Sequence, residues 1–191
     1  EVMLETLLQF DSAISLSINH LNSDTLDHLM IQASYKWTWV PFYALLLGLL
    51  FKQNSWKLVL LMMGFIALNV VLTDQLSVMM KDSFMRLRPC HNAELSTMLH
   101  LPNGCGGQYG FVSSHSANTM GLAILLAQFL RGKWVLPTML IFALLNGYSR
   151  IYLGKHYFLD VIGGFTLAIV IGVILLFIFD RLRLRLNLAN E

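Results

Sequence analysis

The sequence predicts an all-α, polytopic membrane bundle of about five transmembrane helices, preceded by an N-terminal amphipathic helical region. Two observations carry this. The 191-residue chain is 56% hydrophobic and only 13% charged, with a mean hydropathy of +0.62, where a water-soluble domain carries about 25% charged residues. Its apolar residues also gather into runs that reach, or nearly reach, the roughly 20 residues needed to cross a hydrocarbon core as a helix. The length fits one domain over residues 1–191.

Residues 1–31 form the amphipathic region. Leu4, Leu7, Leu8, Ile14, Ile18 and Leu21 recur at roughly helical spacing among polar residues. That pattern predicts a helix or helix pair at the membrane interface or against the bundle. A sixth span here would bury Asp11, Asn19, His20, Asn22, Asp24 and Asp27, and charge inside a membrane is costly. The bundle occupies residues 37–180. Its first run, 37–51, is short but has Trp37 and Trp39 as interfacial anchors. The second, 58–80, is long and interrupted by Asp74 and Gln75. The third, 116–130, has a polar first turn and is the weakest; 134–148 and 157–179 complete the set. Pro102-Asn103-Gly104 and Gly106-Gly107 mark turns in the loop between the second and third runs. No internal repeat or low-complexity segment is visible. The first thirty residues lack a basic stretch ahead of a continuous apolar core, so no cleavable leader is expected in them. Glu rather than Met at position 1 predicts a processed start.

Five spans place the loops 81–115 and 149–156 on one face and the turns 52–57 and 131–133, with the tail, on the other. Lys52, Lys57, Arg131, Lys133, Arg181, Arg183 and Arg185 fall on the second face; Lys36, Lys81, Arg86, Arg88, Arg150 and Lys155 fall on the first. With Lys81, Arg88 and Arg150 reserved for the chemistry below, the bias is seven to three. It predicts cytoplasmic turns and tail, and outward-facing polar loops. Cys90 and Cys105 share the long outer loop, where a disulfide is allowed; two free thiols are the alternative. They fit no metal-site spacing. A net charge of +2, with no basic patch interleaved with aromatic residues, argues against nucleic acid as a partner.

Three polar clusters lie at span ends on the outer face: KDSFMRLRP, with Lys81 and Arg88; VSSHS, with His115; and SRIYLGKHYFLD, with Arg150, His156 and Asp160. A lone cation at a span end is ordinarily a headgroup anchor, and a lone His at a helix end is ordinarily structural. Their convergence on one face is not ordinary. Arg binds phosphate as a fork and Lys as a point charge. The start of a helix at 112–115 offers free backbone N–H groups to an anion. His156 and Asp160, four apart, share one helical face. A carboxylate there holds one imidazole nitrogen and leaves the other as a nucleophile. His115 is a second imidazole, suited to proton donation. His115, His156 and Asp160 also have metal-ligand chemistry, but three neighbouring cations would repel a metal, so none is expected.

These clusters resemble the type 2 phosphatidic acid phosphatase superfamily of integral-membrane enzymes. That family carries Lys, six residues, Arg-Pro; then Pro-Ser-Gly-His; then Ser-Arg, five residues, His, three residues, Asp. Lys81, Arg88 and Pro89 match the first motif, and Ser149, Arg150, His156 and Asp160 the third. In the second, Ser113 and His115 are kept, while Val112 and Ser114 stand where Pro and Gly are usual. The resemblance covers about residues 56–170.

The resemblance implies a bacterial inner-membrane lipid phosphatase, multi-pass, with its site on the periplasmic face. It implies that His156 is the nucleophile, forming a phosphohistidine oriented by Asp160, and that His115 protonates the leaving oxygen and then activates water. Lys81, Arg88 and Arg150, with the backbone N–H groups of Ser113 and Ser114, would hold the phosphoryl oxygens, and Ser149 would support them from behind. No cofactor is implied. The partners would be the bilayer and a lipid phosphate: phosphatidylglycerol phosphate, undecaprenyl pyrophosphate or lipid A phosphate. A phosphotransferase moving the group between lipids is the first alternative. A non-catalytic protein that binds lipid headgroups is the second, suggested by the altered second motif. The oligomeric state is not legible.

Overall fold

The computed structural model describes residues 2–188. In it, each apolar run predicted to cross the membrane forms a helix. The order is α1 (Val2–Asn19), α2 (Asp24–Ser34), α3 (Val40–Gln53), α4 (Trp56–Phe84), α5 (Ser114–Phe129), α6 (Val135–Tyr152) and α7 (Phe158–Arg185). No extended strand occurs among the described residues; one isolated antiparallel bridge joins Leu87 to Tyr109.

By length and composition, α4 and α7 are apolar enough to cross a membrane. At about 1.5 Å per residue they extend roughly 40 Å, beyond a hydrocarbon core of about 30 Å. α3, α5 and α6 are shorter, with 14, 16 and 18 residues. Large apolar side chains stand exposed on the outer faces, among them Val71 on α4, Ile141 on α6 and Val173 and Phe177 on α7. So much exposed apolar surface suits a lipid solvent.

α5 explains why the third run is the weakest in sequence. It is packed by α4, α6 and α7, and none of the large apolar residues between Ser114 and Phe129 is exposed. Enclosed by protein, it needs small residues for close approach rather than a greasy outer face. Ala117, Gly121 and Ala123 supply them. On α7, a Cβ at Gly164 would come within 2.5 Å of the Ser113 carbonyl, so glycine there lets α7 touch the start of α5.

The N-terminal region is a helix pair, and its orientation differs from the simplest expectation. The apolar residues Leu4, Leu7 and Leu8 face outward. The side turned to the bundle is mainly polar: Asp11, Ser15 and Asn19, spaced i, i+4, i+8, are all buried, with Ile18 beside them packed on the core. Burial of Asp11 and Asn19 counted against a membrane span; here protein groups satisfy them. Ser15 Oγ accepts the Phe158 N–H at 2.9 Å. Asn19 Nδ2 donates to the carbonyls of His100 and Tyr152, and its Oδ1 accepts the His100 N–H.

The long loop is tied at both ends. Met85, with φ 46°, ends α4 in the left-handed region. The chain then pairs with itself: Arg88 N–H donates to the Gln108 carbonyl, and Gly110 N–H to the Arg86 carbonyl. A disulfide joins Cys90 to Cys105, with Cα atoms 5.9 Å apart.

Candidate active site

Four chain segments meet at one end of the bundle: the end of α4 with its following loop, the start of α5, the end of α6, and the turn into α7. The turn is built by Arg150, whose carbonyl accepts the N–H groups of Lys155 and His156 at 3.1 and 3.2 Å. Gly154, with φ +66°, completes it in a conformation that side chains resist. His156 is thereby folded back beneath the end of α6.

Asp160 serves two neighbours at once. It is the N3 residue of α7, and its Oδ2 accepts the Tyr157 N–H at 3.1 Å, the reach-back of a capping box. The same oxygen lies 3.3 Å from His156 Nδ1. Helix capping thus fixes the carboxylate that orients the imidazole. Glycine at 110 permits the fit, because a Cβ there would sit 2.7 Å from Asp160 Oδ2.

His156 is buried, and Arg88, Arg150 and Lys81 all act on it electrostatically. Burial first, and then these three cations, push its proton affinity well below the ordinary imidazole value. Both favour the neutral ring, the form that can act as a nitrogen nucleophile. Arg88 is held by its Nε on the Tyr109 carbonyl and its Nη1 on the Lys155 carbonyl, at 3.1 and 3.2 Å. Arg150 is buried; Nη1 donates to Ser34 Oγ at the end of α2. Lys81 Nζ donates to Ser114 Oγ at 2.6 Å, and Ser77 Oγ lies 2.6 Å from the same hydroxyl. His115, in the first turn of α5, is exposed and within electrostatic range of Arg150, His156, Lys155 and Arg88.

Two residues behave differently from their expected parts. Ser113 does not present its N–H to a ligand: it donates that N–H to the Asp160 carbonyl at 2.9 Å. Its hydroxyl caps α5, accepting from the Ser116 N–H and hydroxyl. Ser113 therefore braces α5 against α7, and the next amides, at Ser114 and His115, are the ones an α-helix leaves without intrahelical acceptors. Ser149 Oγ is turned onto the Asn146 carbonyl at 2.7 Å and stays within its own helix. The loop histidines serve the loop: His91 Nε2 is 3.1 Å from the Gly106 carbonyl, and His100 Nε2 is 2.6 Å from Asp27. Asp74, in mid-helix, accepts from Asn118 on α5 at 2.8 Å.

A sequence profile of the PAP2 superfamily matches residues 54–183. The chain belongs to the PAP2 superfamily. It is 35% identical to a lipid A 4'-phosphatase of Bacteroides thetaiotaomicron, over 97% of this chain and 84% of that protein. A lipid A 4'-phosphatase of Porphyromonas gingivalis is 33% identical, over 88% and 72%. Among solved structures, a transmembrane PAP2-type phosphatidylglycerolphosphate phosphatase of Bacillus subtilis superposes with a TM-score of 0.72. It shares 22% identity, covering 92% of this chain and 87% of that one, which is a likeness of fold.

The PAP2 match begins after α3, yet two side chains from before it reach the site. Ser34 meets Arg150, and Asp11 meets Arg86, which in turn meets Asp160. Sequence reasoning placed Arg86 among ordinary outer-face cations. Its one signal was its place two residues before Arg88, which in an extended segment puts both on one face.

Proposed function

We propose that the chain hydrolyses a phosphate monoester on the headgroup of a lipid A-type glycolipid, the 4'-phosphate, by way of a phosphohistidine at His156. Its broader class is set by the family and the relatives: a membrane-bound phosphoric ester hydrolase acting on lipid phosphates. The observation that carries the mechanism is the buried His156 with Nδ1 on Asp160 amid Lys81, Arg88 and Arg150.

In the first step, His156 Nε2 attacks phosphorus and the bond to the sugar oxygen breaks, with His115 giving that oxygen a proton. An arriving phosphate dianion supplies the negative charge that lets His115 carry the proton. Lys81, Arg88, Arg150 and the first amides of α5 hold the three equatorial oxygens, where charge builds in the transition state. In the second step, water gives its proton to His115 and attacks phosphorus; the N–P bond breaks and inorganic phosphate leaves. Asp160 stabilises the positive charge on the phosphorylated ring. Ser114, the departure from the usual second motif, is occupied with Lys81 rather than obstructing the site, which speaks for a working enzyme over a mere headgroup binder.

In this reading α3 to α7 all cross the inner membrane, and the site opens on the periplasmic side. The test is phosphate release by the detergent-solubilised protein in EDTA. The panel is lipid A bearing the 4'-phosphate, phosphatidylglycerol phosphate and undecaprenyl pyrophosphate. Fastest release from lipid A, undiminished by EDTA, is expected. Faster release from either other lipid would sink the substrate assignment. Transfer to a second lipid without free phosphate would make the enzyme a transferase.

A further inference from the structure

One guanidinium ties the N-terminal helix to the catalytic carboxylate. Arg86 Nη1 lies 2.7 Å from Asp160 Oδ1, and Nη2 lies 2.5 Å from Asp11 Oδ2. Both carboxylates are fully buried; the guanidinium is one-fifth exposed and sits 4.1 Å from the centre of the Tyr157 ring. Asp11 Oδ1 accepts the Leu159 N–H at 2.8 Å, and Ser15, one turn on, accepts that of Phe158. α1 thus caps, from outside, the very turn that carries Asp160.

The contacts of Asp160 divide by oxygen. Oδ2 takes Tyr157 N–H and faces His156; Oδ1 takes Arg86. Held at Oδ2 alone, the carboxylate would be free to swing about that atom. Arg86 removes that freedom and so sets the plane in which the imidazole is held. Charge makes the same case. Lys81, Arg88 and Arg150 are uncommitted to any carboxylate among the described residues, whereas Arg86 bridges two. Asp11 balances Arg86, so Asp160 keeps enough negative charge to steady a positive ring at His156.

We propose that Arg86 and Asp11 are positioning residues: Asp11 holds Arg86, and Arg86 holds Asp160 against His156, making the N-terminal helix a working part of the catalytic centre. Both roles rest on His156 being the nucleophile. Asp11 lies outside the PAP2-matched residues 54–183, so this linkage is additional to the motif-bearing part of the chain.

The test measures kcat, KM, the pH profile and thermal stability in detergent, with lipid A bearing the 4'-phosphate as substrate, for wild type, Arg86→Ala, Arg86→Lys, Asp11→Asn and the double variant Asp11→Asn/Arg86→Ala. The groups facing Asp160 are Arg86, Asp11, His156, Tyr157 and, further off, Arg88 and Lys81. Arg86→Ala removes a cation, so the acid limb of kcat moves to higher pH. Asp11→Asn keeps the acceptor for Leu159 but leaves Arg86 unbalanced, so that limb moves to lower pH. A structural defect would not give opposite shifts. Arg86→Ala is expected to lose about 10²-fold in kcat, the scale of a roughly 1 Å misplacement, with KM little changed. Arg86→Lys keeps the charge but not the fork, and restores only part of the loss. The double variant should be no slower than Arg86→Ala, because Asp11 acts through Arg86.

An active wild type whose Arg86→Ala variant keeps its kcat and pH profile overturns the proposal, as do losses that multiply in the double variant. Should Arg86→Ala fail to fold, Arg86→Lys and Asp11→Asn carry the same decision: unchanged kcat and pH limbs in both overturn it. A wild type that releases no phosphate, or a His156→Ala variant that releases it normally, overturns the function reading and this proposal together.

Discussion

Ser114 shows how a single residue adapts the site. Its hydroxyl receives the Lys81 ammonium at 2.6 Å and lies 2.6 Å from Ser77 Oγ, so it holds in place a cation that the proposed mechanism assigns to the phosphate. Such a contact is worth about 1 kcal/mol. Ser114→Ala is therefore expected to lose roughly fivefold in kcat/KM, measured by phosphate release at low substrate. A loss of about 10²-fold would instead mark the hydroxyl as a direct contact to the phosphoryl group. That Lys81, Arg88, His115, Arg150, His156 and Asp160 come together was legible in the sequence, because each sits in or beside a helix end at a fixed spacing to its neighbours. Ser113 was legible as a residue of the site but not in its job. Which N–H of a helix start stays free depends on what packs against it, and here that is the Asp160 carbonyl. Arg86 was illegible for the same reason: its partners lie 75 and 74 residues away.

At the scale of elements, the predicted runs and the helices agree within a few residues for the long spans. Helices α4 and α7 overrun their apolar runs, because Lys81 and Arg181 to Arg185 continue helical geometry into polar surroundings. The pattern of α1 was readable and its direction was not. Periodicity finds two faces, but only the fold decides that the polar face finds partners in the protein while Leu4 and Leu7 are left outward. Sidedness is a matter of elements too. With Arg86 tied to Asp160 and Asp11, the face that carries the candidate site keeps Lys36 and Lys155 as cations outside it, against seven on the other face. That sharpens the positive-inside bias. Both native cysteines are paired, so an introduced one is the sole free thiol. A membrane-impermeant maleimide applied to spheroplasts should label Thr97→Cys in the long loop and spare Lys133→Cys in the α5–α6 turn. The reverse pattern would turn the site to the cytoplasm.

Across the whole molecule, the bundle acts as a frame that brings four chain segments to one candidate site, with α5 enclosed at its centre. The N-terminal pair closes the frame from outside the PAP2-matched segment, giving Ser34 to Arg150 and Asp11 to Arg86. Everything then converges on one ring nitrogen. His156 Nδ1 is held by Asp160, and Nε2 is assigned the attack on phosphorus. The direct measurement is to mix lipid A carrying a radiolabelled 4'-phosphate with wild type, His115→Ala and His156→Ala, quench in alkali, where phosphohistidine survives, and locate the label by peptide mapping. Label should sit on His156 and be missing from His156→Ala; in His115→Ala, which lacks both the acid of the first step and the base of the second, it should form slowly and, once formed, be lost slowly. Label on another residue, or phosphate release by His156→Ala at the wild-type rate, would contradict it.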